Sequence, residues 1–409
     1  MNTLLDRFCR YVKIETTAVE DADTYPSSPK QLDLSRLLAD ELRALKLNDV
    51  SMDENGIVMA TIPGNVDGAP TIAWLAHVDT SPEYTAENVK PIVHQNYDGR
   101  DIVLPGDKTK VIRVDESPEL APLKGKTIIT SDGTTLLGAD DKCGVAIIMA
   151  TAERLMADST IPHGPIRIVF TCDEEIGCGT DKLDLKKINA TVAYTLDGED
   201  QGNLECETFS ADLALVSIRG INIHPGLAKG RMVNALRVAA DFLSRLPSDT
   251  LAPEVTEGRE GFLHPYVIEG GVPEVKIKTL LRSFQTAELT EQAQLLHTIA
   301  EKVQSAHPGA KISIDVQEQY RNMRQALEKE PRANKLAQEA FRRVGLEPKT
   351  ESIRGGTDGS RLSEMGLPTP NLSAGMHNFH SPLEYACLEQ MEIAVNMLVE
   401  LAKLWGREK

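Results

Sequence analysis

The sequence predicts an α/β protein: a larger domain on a mostly parallel sheet, interrupted by a smaller inserted α+β domain. Three observations predict it. Apolar runs of buried-strand length alternate with helical stretches over the first two hundred residues, and the middle of the chain switches to strands that alternate apolar and polar. The chain also has 409 residues, more than one ordinary core supports.

Taken in order, "MNTLLDRFCRYVKIETT" is an amphipathic opening that carries Asp6, Arg7 and Arg10 and lacks the continuous apolar core of a secretory leader. "TIAWLAHVD" (71–79), "IRIVFTCDEE" (166–175) and "VAYTLDG" (192–198) read as buried strands. "KCGVAIIMATAERLMA" (142–157) reads as a helix between the first two. Parallel sheets place their sites at the carboxyl ends of the strands, and each of these three runs ends in acids or His.

The middle differs. "ADLALVSIRGINIHPG" (211–226) and "PEVKIKTLLRSF" (273–284) alternate like half-exposed antiparallel strands, with helices at 234–246 and 290–306. This predicts a β-α-β-α-like insert over 208–319, with 1–207 and 320–409 forming the larger domain. A helix over 331–345, the Gly-rich "RGGTDGS" and a terminal helix complete the chain.

Composition narrows the function. A net charge of −17 and only 4% aromatic residues argue against a nucleic-acid or anionic membrane partner. No stretch approaches the roughly 20 apolar residues of a membrane-spanning helix. Six scattered cysteines without CxxC pairing predict free thiols in a reducing cytoplasm.

Five short segments carry chemistry. In "HVD", His77 and Asp79 lie two apart and share a side of the strand, as when a carboxylate orients a metal-binding imidazole. In "LLGADDKCG" (136–144), Asp140 and Asp141 open the proposed helix, where an aspartate can equally be an N-cap. In "DEEIGCG" (173–179), successive glutamates diverge, so one could bind a metal while the other meets water; a solvated charge run is the plainer alternative. Asp197 ends the third strand, and "GMHNFHSPLEY" (375–385) adds His377, His380 and Glu384. Each signal is modest alone. Together they supply two His and three carboxylates, with a spare glutamate, at successive strand-to-loop junctions. That is a ligand inventory for a dinuclear hydrolytic centre, suited to Zn²⁺ with Co²⁺ or Mn²⁺ as substitutes.

Through "AHVDTSP" (76–82), "TLLGADDK" (135–142), "DEEIG" (173–177), "HPGLAKGRMVNA" (224–235) and "IRGGTDGSRLS" (353–363), the chain resembles the co-catalytic dinuclear zinc peptidases. That family includes carboxypeptidase G, aminoacylase and succinyl-diaminopimelate desuccinylase. The fourth segment is narrower and resembles the tripeptide aminopeptidase branch. The resemblance implies a zinc-exopeptidase domain of the phosphorylase/hydrolase-like kind, with a ferredoxin-like lid that could also form a homodimer. It implies release of the N-terminal residue of tripeptides by water activated between two zinc ions. A dipeptidase, carboxypeptidase or N-acyl amino acid deacylase on the same centre is the alternative.

Residue by residue, the resemblance makes His77 and Asp197 ligands of one zinc, with Asp79 orienting His77. Asp140 bridges both metals, and Asp141 follows it across a peptide bond that is often cis in the family. Glu175 and His380 hold the second zinc, Glu174 is the general base, and His377 is a non-ligand. His224 is the oxyanion partner, reaching the site from the partner subunit in dimeric relatives, and Arg354 pairs with the substrate's C-terminal carboxylate. Two positions depart from the pattern: "RSFQ" (282–285) replaces "RDFD", and Cys143 replaces a small residue such as Ala.

Overall fold

The computed structural model describes residues 3–409, which form two compact units. The first comprises Met1–Cys206, Gln325–Glu351 and Thr357–Lys409, and the second Glu207–Arg324 with Ser352–Gly356. The sequence reading assigns 352–356 to the larger domain. Here that segment belongs with the second unit, where the Phe209 N–H donates to the Ile353 carbonyl at 3.1 Å.

An eleven-stranded sheet organises the first unit. Its four central strands run parallel in the order Ile166–Thr171, Ile72–His77, Val192–Glu199 and Asn371–His377. Antiparallel strands extend it on both sides, Val58–Ile62 and Asn48–Met52 on one, Tyr385–Cys387, Ile128–Thr130 and Ile92–His94 on the other. The central strands are covered on both faces, so apolar side chains need not alternate, and all six residues of Ile72–His77 are buried. Helices Ala139–Ala157 and Leu388–Trp405 pack against this centre. The strand Asn371–His377 is equally buried, but Asn371, Ser373 and Gly375 interrupt its apolar run and hide it from the hydrophobic pattern.

Two predicted strands are shorter than expected. The chain leaves the ladder at His77 and at Thr171, and Asp173 then takes a left-handed φ of 62°. Glu174 and Glu175 therefore diverge within a turn, not by alternation along a strand.

The second unit is β-α-β-β-α-β, two strands richer than the β-α-β-α expectation. Its elements are Ser210–Arg219, Ala235–Ser244, Phe262–Gly270, Glu274–Ser283, Thr286–Ala306 and Lys311–Tyr320. The sheet is antiparallel, with Phe262–Gly270 and Lys311–Tyr320 at its edges, which is the ferredoxin-like order. Both unpredicted strands are edge strands: the second exposes Lys311, Ser313, Asp315, Gln317 and Glu318, and the first exposes Tyr266, Ile268 and Glu269 and carries Pro265 at a register shift. The predicted strand over 211–226 stops at Arg219. The core gathers Val216, Ile218, Phe242, Ile277, Leu281 and Leu296. In "RSFQ", Ser283 Oγ accepts the Gln285 N–H at 3.0 Å and donates to Glu288 at 2.6 Å, which fastens the start of the following helix.

Among the described residues no helix is long and apolar enough to cross a membrane. All six cysteines are free.

Candidate metal centre

The segment "GADDKCG" divides its work between two aspartates. Gly138 takes a φ of 79°, and the Asp140–Asp141 peptide bond is cis. Both aspartates have non-helical backbone angles, so the regular helix begins at Lys142. Asp141 caps it: Oδ1 accepts the Gly144 N–H at 3.0 Å, and Oδ2 accepts the His77 N–H at 3.2 Å. A Cβ at residue 144 would lie 2.4 Å from Asp141 Oδ1 and 2.3 Å from the Leu196 carbonyl, so only glycine fits. With Asp141 committed to the helix, Asp140 is left to face the site.

The two oxygens of Asp140 address different histidines. Oδ1 lies 2.9 Å from His77 Nε2, and Oδ2 lies 3.4 Å from His380 Nε2. Asp197 Oδ1 is 3.7 Å from His77 Nε2, and Glu175 Oε2 is 2.7 Å from His380 Nε2. Two groups result, His77–Asp140–Asp197 and Asp140–Glu175–His380, each with ligand atoms within 4.8 Å of one another. Asp140 is common to both.

Asp79 braces this arrangement. Its Oδ1 is 3.3 Å from His77 Nδ1, the ring nitrogen that faces away from the cluster. The same carboxylate accepts the N–H groups of Glu174 and Glu175, at 3.2 and 3.1 Å. One buried side chain thus orients an imidazole and shapes the turn that carries both glutamates. Asp173 faces elsewhere: it accepts from Ser27 N and Oγ at 2.6 and 2.5 Å and from Gln31 Nε2 at 2.6 Å. Glu174 Oε1 accepts the Asp358 N–H at 3.2 Å.

Burial and crowding set the protonation. Burial, with Asp140 adding to it, pushes Glu175 up to about 8 and Asp197 up to about 7. Glu174 is raised well above the usual carboxylate range, chiefly by burial. Burial would raise Asp140 too, but hydrogen bonds from His380 and His77 hold it low. His380 is pushed up to about 11: burial opposes the shift, and hydrogen bonds to Asp140 and Glu175 outweigh it. A cluster that gathers protons in this way is one where a dication can replace them. Glu175 Oε1 is buried without a hydrogen-bond partner, an orphaned acceptor that a cation would satisfy. Carboxylate oxygens with imidazole nitrogens fit Zn²⁺, Co²⁺ or Mn²⁺.

His377 lies outside both groups. Its Nε2 is 2.8 Å from Gln390 Oε1, and its ring stacks on Tyr385 at 4.6 Å. His224 and Arg354 belong to the second unit. His224 is exposed and its Nδ1 accepts the Gly226 N–H at 3.2 Å. Arg354 donates to the Gly258 carbonyl and to the carbonyl and Oγ1 of Thr256, and lies over Phe209 and Phe262. At least two of its five N–H groups remain.

Sequence reasoning gave no role to three residues that support the centre. Asn371 Oδ1 accepts the Asp197 N–H at 3.0 Å, while its Nδ2 donates to the Glu205 carboxylate at 2.6 Å. Asp358 supplies the amide that holds Glu174. Glu384 anchors the backbone around Asp140, and only its place four residues after His380 hinted at this.

Residues 115–404 match the model of peptidase family M20/M25/M40. The chain belongs to peptidase family M20/M25/M40. Within the family it is 46% identical over 401 residues to peptidase T of Bacillus subtilis (strain 168), covering 98% of each chain. It is 44% identical over 408 residues to peptidase T of Geobacillus sp. (strain WCH70), covering 100% of this chain and 99% of the relative. Among solved structures it resembles a tripeptidase from Staphylococcus aureus, with a TM-score of 0.79 and 26% identity over 99% and 98% of the two chains. These M20/M25/M40 relatives span both units described above.

Proposed function

We propose that the protein is a tripeptide aminopeptidase, a metal-dependent hydrolase that releases the N-terminal residue of short peptides. The observation that carries this reading is Asp140, shared between two ligand groups whose remaining members come from four other strand ends and loops. Full-length similarity to two peptidase T sequences supports the substrate class.

In this reading His77 and Asp197 would hold one Zn²⁺ and Glu175 and His380 the other, with Asp140 available to both. Bound zinc would supply Lewis acidity towards the scissile carbonyl and lower the pKa of water. Glu174 performs the proton transfers. One of its oxygens is tied to the Asp358 amide, which leaves the other to take a proton from the attacking water and pass it to the leaving amine. Burial keeps this carboxylate basic enough for both steps.

Two residues of the second unit complete the assignment. Because His224 Nδ1 accepts a backbone N–H, the neutral ring carries its proton on Nε2, a donor suited to an oxyanion. Arg354, held between rings and carbonyls, presents its remaining donors to the substrate's C-terminal carboxylate. A homodimer formed through the second unit belongs to the same proposal, as does a cytoplasmic location, which six free thiols favour.

The test is a panel of peptides two to five residues long, with metal content measured on the same sample. The expected outcome is a maximum at three residues with two metal equivalents. Turnover of N-acyl amino acids alone, or none with both metals bound, would overturn the reading. If Arg354→Ala changes kcat/KM equally for a tripeptide and its C-terminal amide, the role of Arg354 falls.

A further inference from the structure

Glu384 is 1% exposed, and both of its oxygens are occupied by backbone amides. Oε2 accepts the N–H groups of Leu137 and Gly138 at 2.7 and 2.6 Å, and Oε1 accepts that of Asp140 at 3.0 Å. Three N–H groups from one turn converge on one carboxylate, an arrangement that the left-handed Gly138 permits. A Cβ added at residue 138 would make a tight 3.2 Å contact with Thr80 Cγ2, and the left-handed φ would strain any residue other than glycine. Lys142 is also fully buried and donates to the Ile14 carbonyl at 2.8 Å; burial lowers its pKa to about 7, and the Glu384 carboxylate opposes that shift.

The connection to the metal centre is direct. The segment 380–384 brings His380 to one end of Asp140 and, four residues later, grips the backbone of Asp140 itself. We propose that Glu384 is a positioning residue that keeps Asp140 where its two oxygens serve two cations at once. It holds the main chain of the shared ligand and touches neither cation nor substrate. The proposal rests on the two-metal reading above. It adds to that reading a specific dependence: without Glu384 each half-site keeps its private ligands, and the bridge between them fails.

Glu384→Gln isolates the contact. The amide oxygen of Gln is best used against Leu137 and Gly138, which turns its NH₂ towards the Asp140 N–H, donor against donor. Mn²⁺ is the probe, followed by electron paramagnetic resonance and by calorimetric titration, with thermal unfolding to verify that the variant folds. The wild-type protein is expected to show the spectrum of an exchange-coupled pair. In Glu384→Gln the signal of isolated Mn²⁺ should replace it, and the second equivalent should bind roughly 10–100-fold more weakly. Glu384→Asp, which keeps the charge but withdraws it by one methylene, should fold and lose the coupled signal in the same way. A coupled spectrum and unchanged second affinity in both variants would overturn the role of Glu384. A wild-type protein that binds Mn²⁺ without coupling would overturn the two-metal reading instead, so the two failures are distinguishable.

Discussion

Replacing Asp79 by Asn tests whether one carboxylate both orients His77 and shapes the turn at Glu174 and Glu175. The native side chain is fully buried and accepts two backbone N–H groups, at 3.1 and 3.2 Å, with Oδ1 also 3.3 Å from His77 Nδ1. Hydrogen bonds to a charged acceptor contribute about 1.5–3 kcal/mol each, and an unsatisfied buried N–H costs about 1–3 kcal/mol. Asn keeps one oxygen, so one bond is weakened to a neutral one and the other amide faces an NH₂ group. The expected loss is about 2–5 kcal/mol, or roughly 4–20 °C in the melting temperature of the metal-free protein, at about 2–4 °C per kcal/mol. Metal affinity should fall by up to about 10–100-fold as His77 Nδ1 loses the carboxylate at 3.3 Å and keeps only the Asp79 carbonyl at 3.1 Å. Differential scanning calorimetry on the chelated protein reads the first effect, and competition with a chromophoric chelator reads the second. If Asp79→Asn melts within a degree of the parent and binds metal equally well, the bracing role is wrong.

Glu174→Gln should retain both metal equivalents while turnover falls at least about 10²–10⁴-fold, the span expected for a lost general base; loss of metal would move Glu174 into the ligand set. Metal-free protein should lose stability as pH rises from about 5 to 8. Glu175 at about 8 and Asp197 at about 7 lie above their ordinary values of 4.5 and 3.8, so the stability they confer is complete in acid and disappears as they ionise. His380, raised from 6.5 to about 11, adds to the same trend: its contribution is complete below about 6.5 and declines as pH rises towards 11. Metal loading should therefore release protons and strengthen with pH, by up to about tenfold per unit for each proton displaced, which calorimetry in buffers of different ionisation enthalpy measures. His377→Gln should leave metal stoichiometry unchanged and cost about 1–3 kcal/mol in stability through the lost Gln390 contact and ring stack, read by denaturant unfolding.

The parallel centre of the sheet was legible because double burial writes continuous apolar runs, as in "TIAWLA" and "IRIVF". Where burial is satisfied by small and polar residues, as in Asn371–His377, the same structure leaves no such trace. Edge strands were lost for other reasons: Phe262–Gly270 is mostly exposed and does not alternate, while Lys311–Tyr320 alternates from Lys311 to Gln317 but buries no residue fully. The ligand groups that assemble, His77–Asp140–Asp197 and Asp140–Glu175–His380, were readable because imidazole and carboxylate at strand ends are costly without a task. The supports of those groups were harder to see. Asp79 revealed itself by its spacing from His77, but Glu384 and Asn371 act on the backbone of residues more than 170 positions away, and nothing local marks them. The residues alone left Asp140 and Asp141 open, because either could have capped the helix; the resemblance pointed Asp140 to the metals, and the structure puts Asp141 in the cap.

The contacts that build the centre also set an order of events during synthesis. Ser27 and Gln31 wait about 140 residues for Asp173, while the amides of Leu137, Gly138 and Asp140 wait about 245 residues for Glu384. A chain still attached to the ribosome can finish the first candidate ligand group, but His380 and its anchor arrive only about 180 residues after Asp197. The second candidate ligand group is therefore closed only once this late segment is made, and a product truncated before it carries at most one of the two groups.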